Sequence, residues 1–212
     1  KNGIKILSYG GEAINKKDST FTEDDQELLK LLSQEASSIF KSLAYYDNNK
    51  FLVSKLYLII DYSNKIQYIN NKYEFCKITE ETLLHIFSCM NSVMYFVKDD
   101  YLIRYNNENE FKKYNMNLGI IGKVIKSKEI IGYKDVKNSE EYNSLIDIKT
   151  FYGLLTFPIL TKKTKNVCAV IQVPYFEEIN KYGKPRENET KIVKKICKCI
   201  KNWIFRNEQS NI

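Results

Sequence analysis

His85 is the one histidine in 212 residues, and the five cysteines are Cys76, Cys89, Cys168, Cys197 and Cys199. A protein zinc site draws on clustered His and Cys ligands at short, fixed spacings. No Cys-x-x-Cys pair exists here, so no metal is expected. An odd thiol count without paired spacing reads as reduced, partly buried cysteine in a cytoplasmic protein. A single histidine leaves no supported Ser/His/Asp or Cys/His arrangement, and the Gly-x-x-x-x-Gly-Lys phosphate loop is missing. The adjacent acids Asp24-Asp25 and Asp99-Asp100 suit a helix start and a turn. With no catalytic constellation in view, the expectation is that the chain is not an enzyme and carries no cofactor.

Charge offers one further pattern. Lys191, Lys194, Lys195, Lys198 and Lys201 recur every three or four residues near the C-terminus, which makes one basic stripe on a helix. It reads as a solvated face, or as a contact for acidic helices or anionic lipid. The net charge of +7 is spread along the chain among acids, which argues against nucleic acid as a partner. No apolar run approaches the roughly 18 residues of a transmembrane helix. Lys1-Asn2-Gly3 has none of the apolar character of a signal peptide.

These residues need elements to hold them. A hydrophobic content of 43% and an aromatic content of 13% are enough to build a core. Ile4–Leu7 and Glu12–Ile14 read as short strands. Thr22-Glu23-Asp24-Asp25 is a helix start, with Thr22 as cap. Leu28, Leu32, Ala36, Ile39 and Leu43 then form a narrow seam close to a heptad. Asp47-Asn48-Asn49 interrupts it, and Leu52, Leu56 and Ile59 or Ile60 resume it, so residues 22–61 are one long helix or two. Residues 62–77 are polar and mixed, and read as a linker. Thr79-Glu80-Glu81 opens a helix to about Met90. Ser92–Val97 and Tyr101–Tyr105 are the arms of a hairpin, and Asn106–Asn117 is a loop. Gly119–Ser127 is a short helix. Glu129–Gly132, Leu154–Leu160 and Val167–Val173 are strands, and Glu187–Phe205 is a final amphipathic helix. The pattern gives an α+β fold: an antiparallel sheet with helices packed on one face and long flanking helices.

Several blocks in this order resemble a GAF domain. Gly119-Ile-Ile-Gly-Lys-Val124 followed by a strand ending in Asp135-Val136 is similar to the family's Gly-x-x-Gly-x-Val helix and its next strand. Tyr142, Asp147 and Thr150 resemble its loop of aromatic, acid and threonine. Leu155-Thr-Phe-Pro158-Ile159 and Val167–Val173 resemble its last two strands. The resemblance covers residues 78–206. At the N-terminus, Asn15-Lys16, Phe21 and Asp25 resemble the Asn-Lys … Phe-x-x-x-Asp motif of phosphodiesterase-type GAF domains, with Gln26 where the family has Glu. Residues 1–61 would then be the tail of a preceding GAF-like domain plus a connecting helix, the alternative being an unrelated strand and helix attached to one complete domain; 62–77 would be a linker, and 78–206 the GAF-like domain.

The resemblance implies a regulatory module for dimerisation and signal relay. Its partners would be a second copy, through the connecting helices, and a neighbouring effector domain outside this chain. The alternative it implies is a sensor of cyclic AMP, cyclic GMP or another small molecule. A cyclic nucleotide would then contact Ser92, Ile120, Ile121, Tyr142, Asp147, Thr150 and Gln172. Lys16 and Asp25 would form the bracing salt bridge of the family. The full domain departs from the family at Pro174-Tyr175, where phosphodiesterase-type members carry the Asn-Lys of that brace.

Overall fold

The computed structural model describes residues 23–108, 110–161, 164–175 and 185–209. The two N-terminal strands, the Thr22 cap and the Lys16–Asp25 bridge lie outside the described residues and side chains. By compactness the chain divides into two units, Lys1–Val53 and Ser54–Ile212.

In the first unit the described residues belong to α1 (Glu23–Lys65), a single helix that continues through Asp47–Asn49 without a break. Leu29, Leu32, Ala36, Ile39, Leu43, Tyr46, Lys50 and Val53 follow one another at alternating steps of three and four. That is the heptad rule for a coiled-coil seam, with Lys50 the one polar member. The seam is exposed: Ile39 at 58%, Leu43 at 54% and Tyr46 at 64%.

In the second unit, the end of α1 is followed by a 3-10 turn (Ile66–Tyr68) and α2 (Lys72–Phe87). Helix α2 begins about two turns before the expected Thr79 start. Asn71 caps it, its Oδ1 accepting from the N–H of Tyr73 at 2.7 Å and of Glu74 at 3.2 Å. The strands are β1 (Val93–Lys98), β2 (Tyr101–Tyr105), β3 (Phe111–Asn115), β4 (Ile131–Tyr133), β5 (Gly153–Leu160) and β6 (Val167–Tyr175). Helix α3 (Gly119–Ser127) lies between β3 and β4, and α4 (Glu187–Gln209) closes the chain. All pairings are antiparallel, in the order β3-β2-β1-β6-β5-β4. The six-stranded sheet with helices is the expected α+β class.

Two readings need correction. Strand β3 lies inside the segment read as a loop. Its sequence, Phe-Lys-Lys-Tyr-Asn, is mostly exposed at the sheet edge and carries no alternation of polar and apolar residues to signal it. Residues 62–77 are not a polar connector but part of the core: Tyr62, Ile66, Ile69, Phe75 and Cys76 are all buried. The hydroxyls of Tyr62 and Thr79 share a hydrogen bond of 2.8 Å, and the Trp203 indole N–H donates to the Ile69 carbonyl at 2.7 Å. Phe75 stacks on Trp203 with ring centroids 3.6 Å apart.

Side chains alternate across the strands, so the sheet has two apolar faces. On one, Met94 and Phe96 of β1 meet Phe75 of α2 and Trp203 of α4. On the other, Val93, Tyr95, Leu102, Leu154 and Val170 pack against Ile120, Ile121 and Val124 of α3. The long helices therefore share one face, and the short helix with its loop covers the second. This second layer is where the polar residues of interest gather.

Candidate functional site

The site is built around the start of α3. Leu118 precedes the helix and gives no side-chain cap, so the first amides need another acceptor. Asp147, from the long loop between β4 and β5, supplies it. Its Oδ2 accepts from the Ile120 N–H at 3.0 Å and from the Asn143 N–H at 2.8 Å. Its Oδ1 accepts from the Gln172 side-chain amide at 2.7 Å. Gln172, on β6, uses its Oε1 to accept the Ile148 N–H at 3.1 Å. A carboxylate at a helix N-terminus is favoured by the free amides and by the helix dipole. Asp147 is 6% exposed and Gln172 is fully buried. Burial pushes the Asp147 carboxyl above its ordinary value, against the lowering effect of the Asn143, Ile120 and Gln172 donors.

The two glycines of Gly-x-x-Gly follow from this geometry. Gly119 has φ of +63°, and a Cβ there would sit 2.3 Å from Asp147 Oδ2. A Cβ on Gly122 would sit 2.5 Å from the Asn117 backbone. One glycine admits the carboxylate, and the other lets the helix press on the preceding turn.

The structure brings together Ile120, Ile121, Asp147 and Gln172. Both isoleucine side chains are fully buried in the core, so it is the Ile120 backbone that faces the carboxylate. Tyr142 is half-buried against the same cluster. With Gly119 and Asn143 it lines a shallow depression of ≈ 740 Å³ outside α3. Thr150 accepts the Tyr152 N–H at 3.0 Å, a local turn bond. Ser92 is set apart: its hydroxyl donates to the Glu80 carbonyl at 2.9 Å, toward α2.

Three contributors escaped the sequence reading. The Tyr95 hydroxyl donates to the Ile146 carbonyl at 2.8 Å and ties the loop to β1. Burial pushes this phenol up to about 12. Thr156 is opposite Gln172 in the β5–β6 register, and its buried hydroxyl has no partner among the described residues. Glu141 anchors the outer loop, accepting from Lys123, from Ser139 at 2.8 Å and from Tyr133 at 3.2 Å. The Lys123 and Ser139 donors hold its carboxyl down at about 2. No local pattern pointed to these three, because Tyr95, Thr156 and Glu141 stand far apart in the chain.

The thiols lie elsewhere. Burial raises the Cys89 thiol and pushes Cys197 up to about 12, away from the thiolate that nucleophilic chemistry uses. Among the described residues there is no group of three or more His, Cys, Asp or Glu placed to hold a metal ion, and no helix long and apolar enough to cross a membrane.

No family model matches this sequence, and no curated protein matches it. Solved structures do match its fold. The GAF domain of a phosphoenolpyruvate-protein phosphotransferase from Coxiella burnetii is 12% identical, with a TM-score of 0.61 over 76% of this chain and 98% of that one. The GAF domain of A. aeolicus nlh2, in an inactive state, is 13% identical with a TM-score of 0.56, over 73% and 97%. Free methionine-R-sulfoxide reductase from Neisseria meningitidis is 10% identical with a TM-score of 0.58, over 75% and 93%. The chain therefore has the GAF fold. The expectation that it is not an enzyme is corrected by the same comparison. A reductase has this fold as well as the GAF domains of larger proteins, so the fold leaves catalysis open.

Proposed function

We propose that this GAF-fold chain is a regulatory module that pairs with a second copy through α1 and relays its state along that helix. The exposed seam of α1 carries this reading. An isolated helix gains little from its own backbone bonds, and most of its stability comes from packing an apolar face. Leu29, Leu32, Ile39, Leu43, Tyr46 and Val53 form such a face, and all are exposed in the single chain. A contiguous apolar stripe of this length marks an interaction surface. A strict three-four repeat is self-complementary, which favours an identical helix as the partner. Multi-angle light scattering at micromolar concentration should give twice the chain mass. The double substitution Ile39→Glu, Leu43→Glu should return it to the chain mass with its helix content otherwise kept. A wild-type chain that stays monomeric at high concentration rules the reading out.

A second reading, that the module answers to a small anionic ligand, rests on the Thr156 hydroxyl. A buried hydroxyl without a partner costs about 1–3 kcal/mol, and such groups collect where function overrides stability. Thr156 is beside Gln172, whose amide holds Asp147 on the α3 amides. An anion taking those amides would release Asp147 and offer Thr156 a partner. Cyclic AMP and cyclic GMP are the first ligands to try. At about 100 times its dissociation constant, a ligand adds about 2.7 kcal/mol to stability. A saturable thermal shift that is lost in Thr156→Val supports the sensor. No shift at millimolar nucleotide removes cyclic nucleotides from consideration and leaves the pairing role intact.

A further inference from the structure

A groove of ≈ 490 Å³ runs between α4, the end of β5 and the segment that leads from α3 into β4. Lys194, Lys198 and Lys201 enter it from α4, and Lys128 enters from the turn after α3. Ile130 and Leu160, both half-buried, form part of its floor. Among the described residues, no acidic side chain lines it.

The gathering of four lysines in one concavity distinguishes the groove from an ordinary solvated face. Three lysines outside the groove have acidic partners: Lys191 pairs with Glu187 at 2.8 Å, Lys65 with Asp61 at 2.6 Å, and Lys123 with Glu141. None of the four groove ammonium groups makes a hydrogen bond or ion pair with any described residue. Like charges gathered in one concavity raise the local potential and draw in counter-ions of opposite sign. Lysine is a point-charge donor suited to phosphate oxygens. The apolar floor has no use for a bare inorganic ion, but it suits the organic part of a larger molecule. The volume is that of a small-ligand site.

The geometry points to this groove as a binding site for an organic phosphate, with its phosphate oxygens on Lys128, Lys194, Lys198 and Lys201 and its organic body on Ile130 and Leu160. Such a ligand reaches the groove free in solution, as in a nucleotide, or as the headgroup of a lipid. The groove shares no lining residue with the Asp147 cluster or with the α1 seam.

Calorimetry with adenosine diphosphate and sedimentation with phosphatidylcholine vesicles, with and without phosphatidic acid, test it. The variant Lys194→Gln, Lys198→Gln removes two charges from the groove. The control Lys191→Gln, Lys195→Gln removes the same charge from α4 outside the groove lining. All four positions are exposed, so both variants fold, as circular dichroism will verify. Binding should weaken by about tenfold for each groove lysine removed, and by less than about twofold in the control. Saturable binding of the diphosphate identifies a soluble ligand. Binding confined to the acidic vesicles identifies a lipid headgroup. Equal weakening in both variants, or no binding to either probe, overturns the proposal.

Discussion

Asp147 does at the start of α3 what a bound anion would do, and its neighbours leave it little choice. Its two oxygens face donors from Ile120, Asn143 and Gln172, so every near contact wants an acceptor. Asparagine at this place has the same shape but turns a donor toward one of them. If Gln172 reverses to accept that donor, it loses the Ile148 N–H. Asp147→Asn should therefore cost about 1–3 kcal/mol in urea unfolding, the cost of an unpaired buried donor. The pH dependence has a definite sign. The folded-state value of Asp147 is raised above its ordinary 3.8, so between the two values the folded chain holds more protons than the unfolded one. Stability then falls as pH rises through that window and levels off above it. Asparagine does not titrate. The stability gap between wild type and Asp147→Asn should narrow across the window, and a gap that widens would contradict the burial argument.

At the scale of elements, α1 and α2 show how far periodicity reaches. Leu28 to Leu43 was legible as a seam because step lengths of three and four are visible in sequence alone. The Asp47–Asn49 interruption looked like a break because polar residues lower helix propensity. In the structure the helix is unbroken there, and Asp47 and Asn49 are exposed positions outside the seam of Leu43, Tyr46 and Lys50. Lys50 is the polar member of that seam. A polar residue at a coiled-coil core position lowers stability while fixing register. Lys50→Leu should thus tighten self-association by at least about tenfold, since burying a leucine contributes about 1.5–3 kcal/mol. Analytical ultracentrifugation would read the change, and an unaltered dissociation constant would place Lys50 outside the interface. The start of α2 was misplaced because Asn71 is one of several asparagines nearby, and nothing local marks it as the cap.

At the scale of the whole second unit, residues 62–77 decide whether the sheet has a second layer. Phe75 is fully buried, stacked on Trp203 of α4 and tilted against Phe96 of β1. It joins α2, α4 and the sheet in one contact. Phe75→Ala should cost about 3–5 kcal/mol, the usual loss for a buried aromatic ring. The emission of Trp203, the chain's one tryptophan, gives a local report of the same change. A neutral effect would restore the linker reading. Arg206 adds to the tie, donating to the Ile66 carbonyl at 2.9 Å and the Ile69 carbonyl at 3.3 Å. These bonds span well over 130 residues of sequence, and no pattern along the chain announces them.

The sequence by itself determined the α+β class, the hairpin of β1 and β2, the buried strands β5 and β6, the short helix of α3 and the seam of α1. Each is a local periodicity or a run of apolar residues, and burial of one face enforces it. It also placed Gly119 and Gly122 together, without saying why. Only the tertiary structure decided that Gly119 makes room for Asp147, that Gln172 holds that carboxylate, and that Thr156 is left unpartnered beside them. It likewise gathered Lys128 with the stripe of α4 and gave 62–77 to the core. The reason is physical: these outcomes depend on which backbone donor or ring arrives from a distant strand, and on how much water is excluded when it does. Both are set by the packed sheet, after the local preferences have been satisfied.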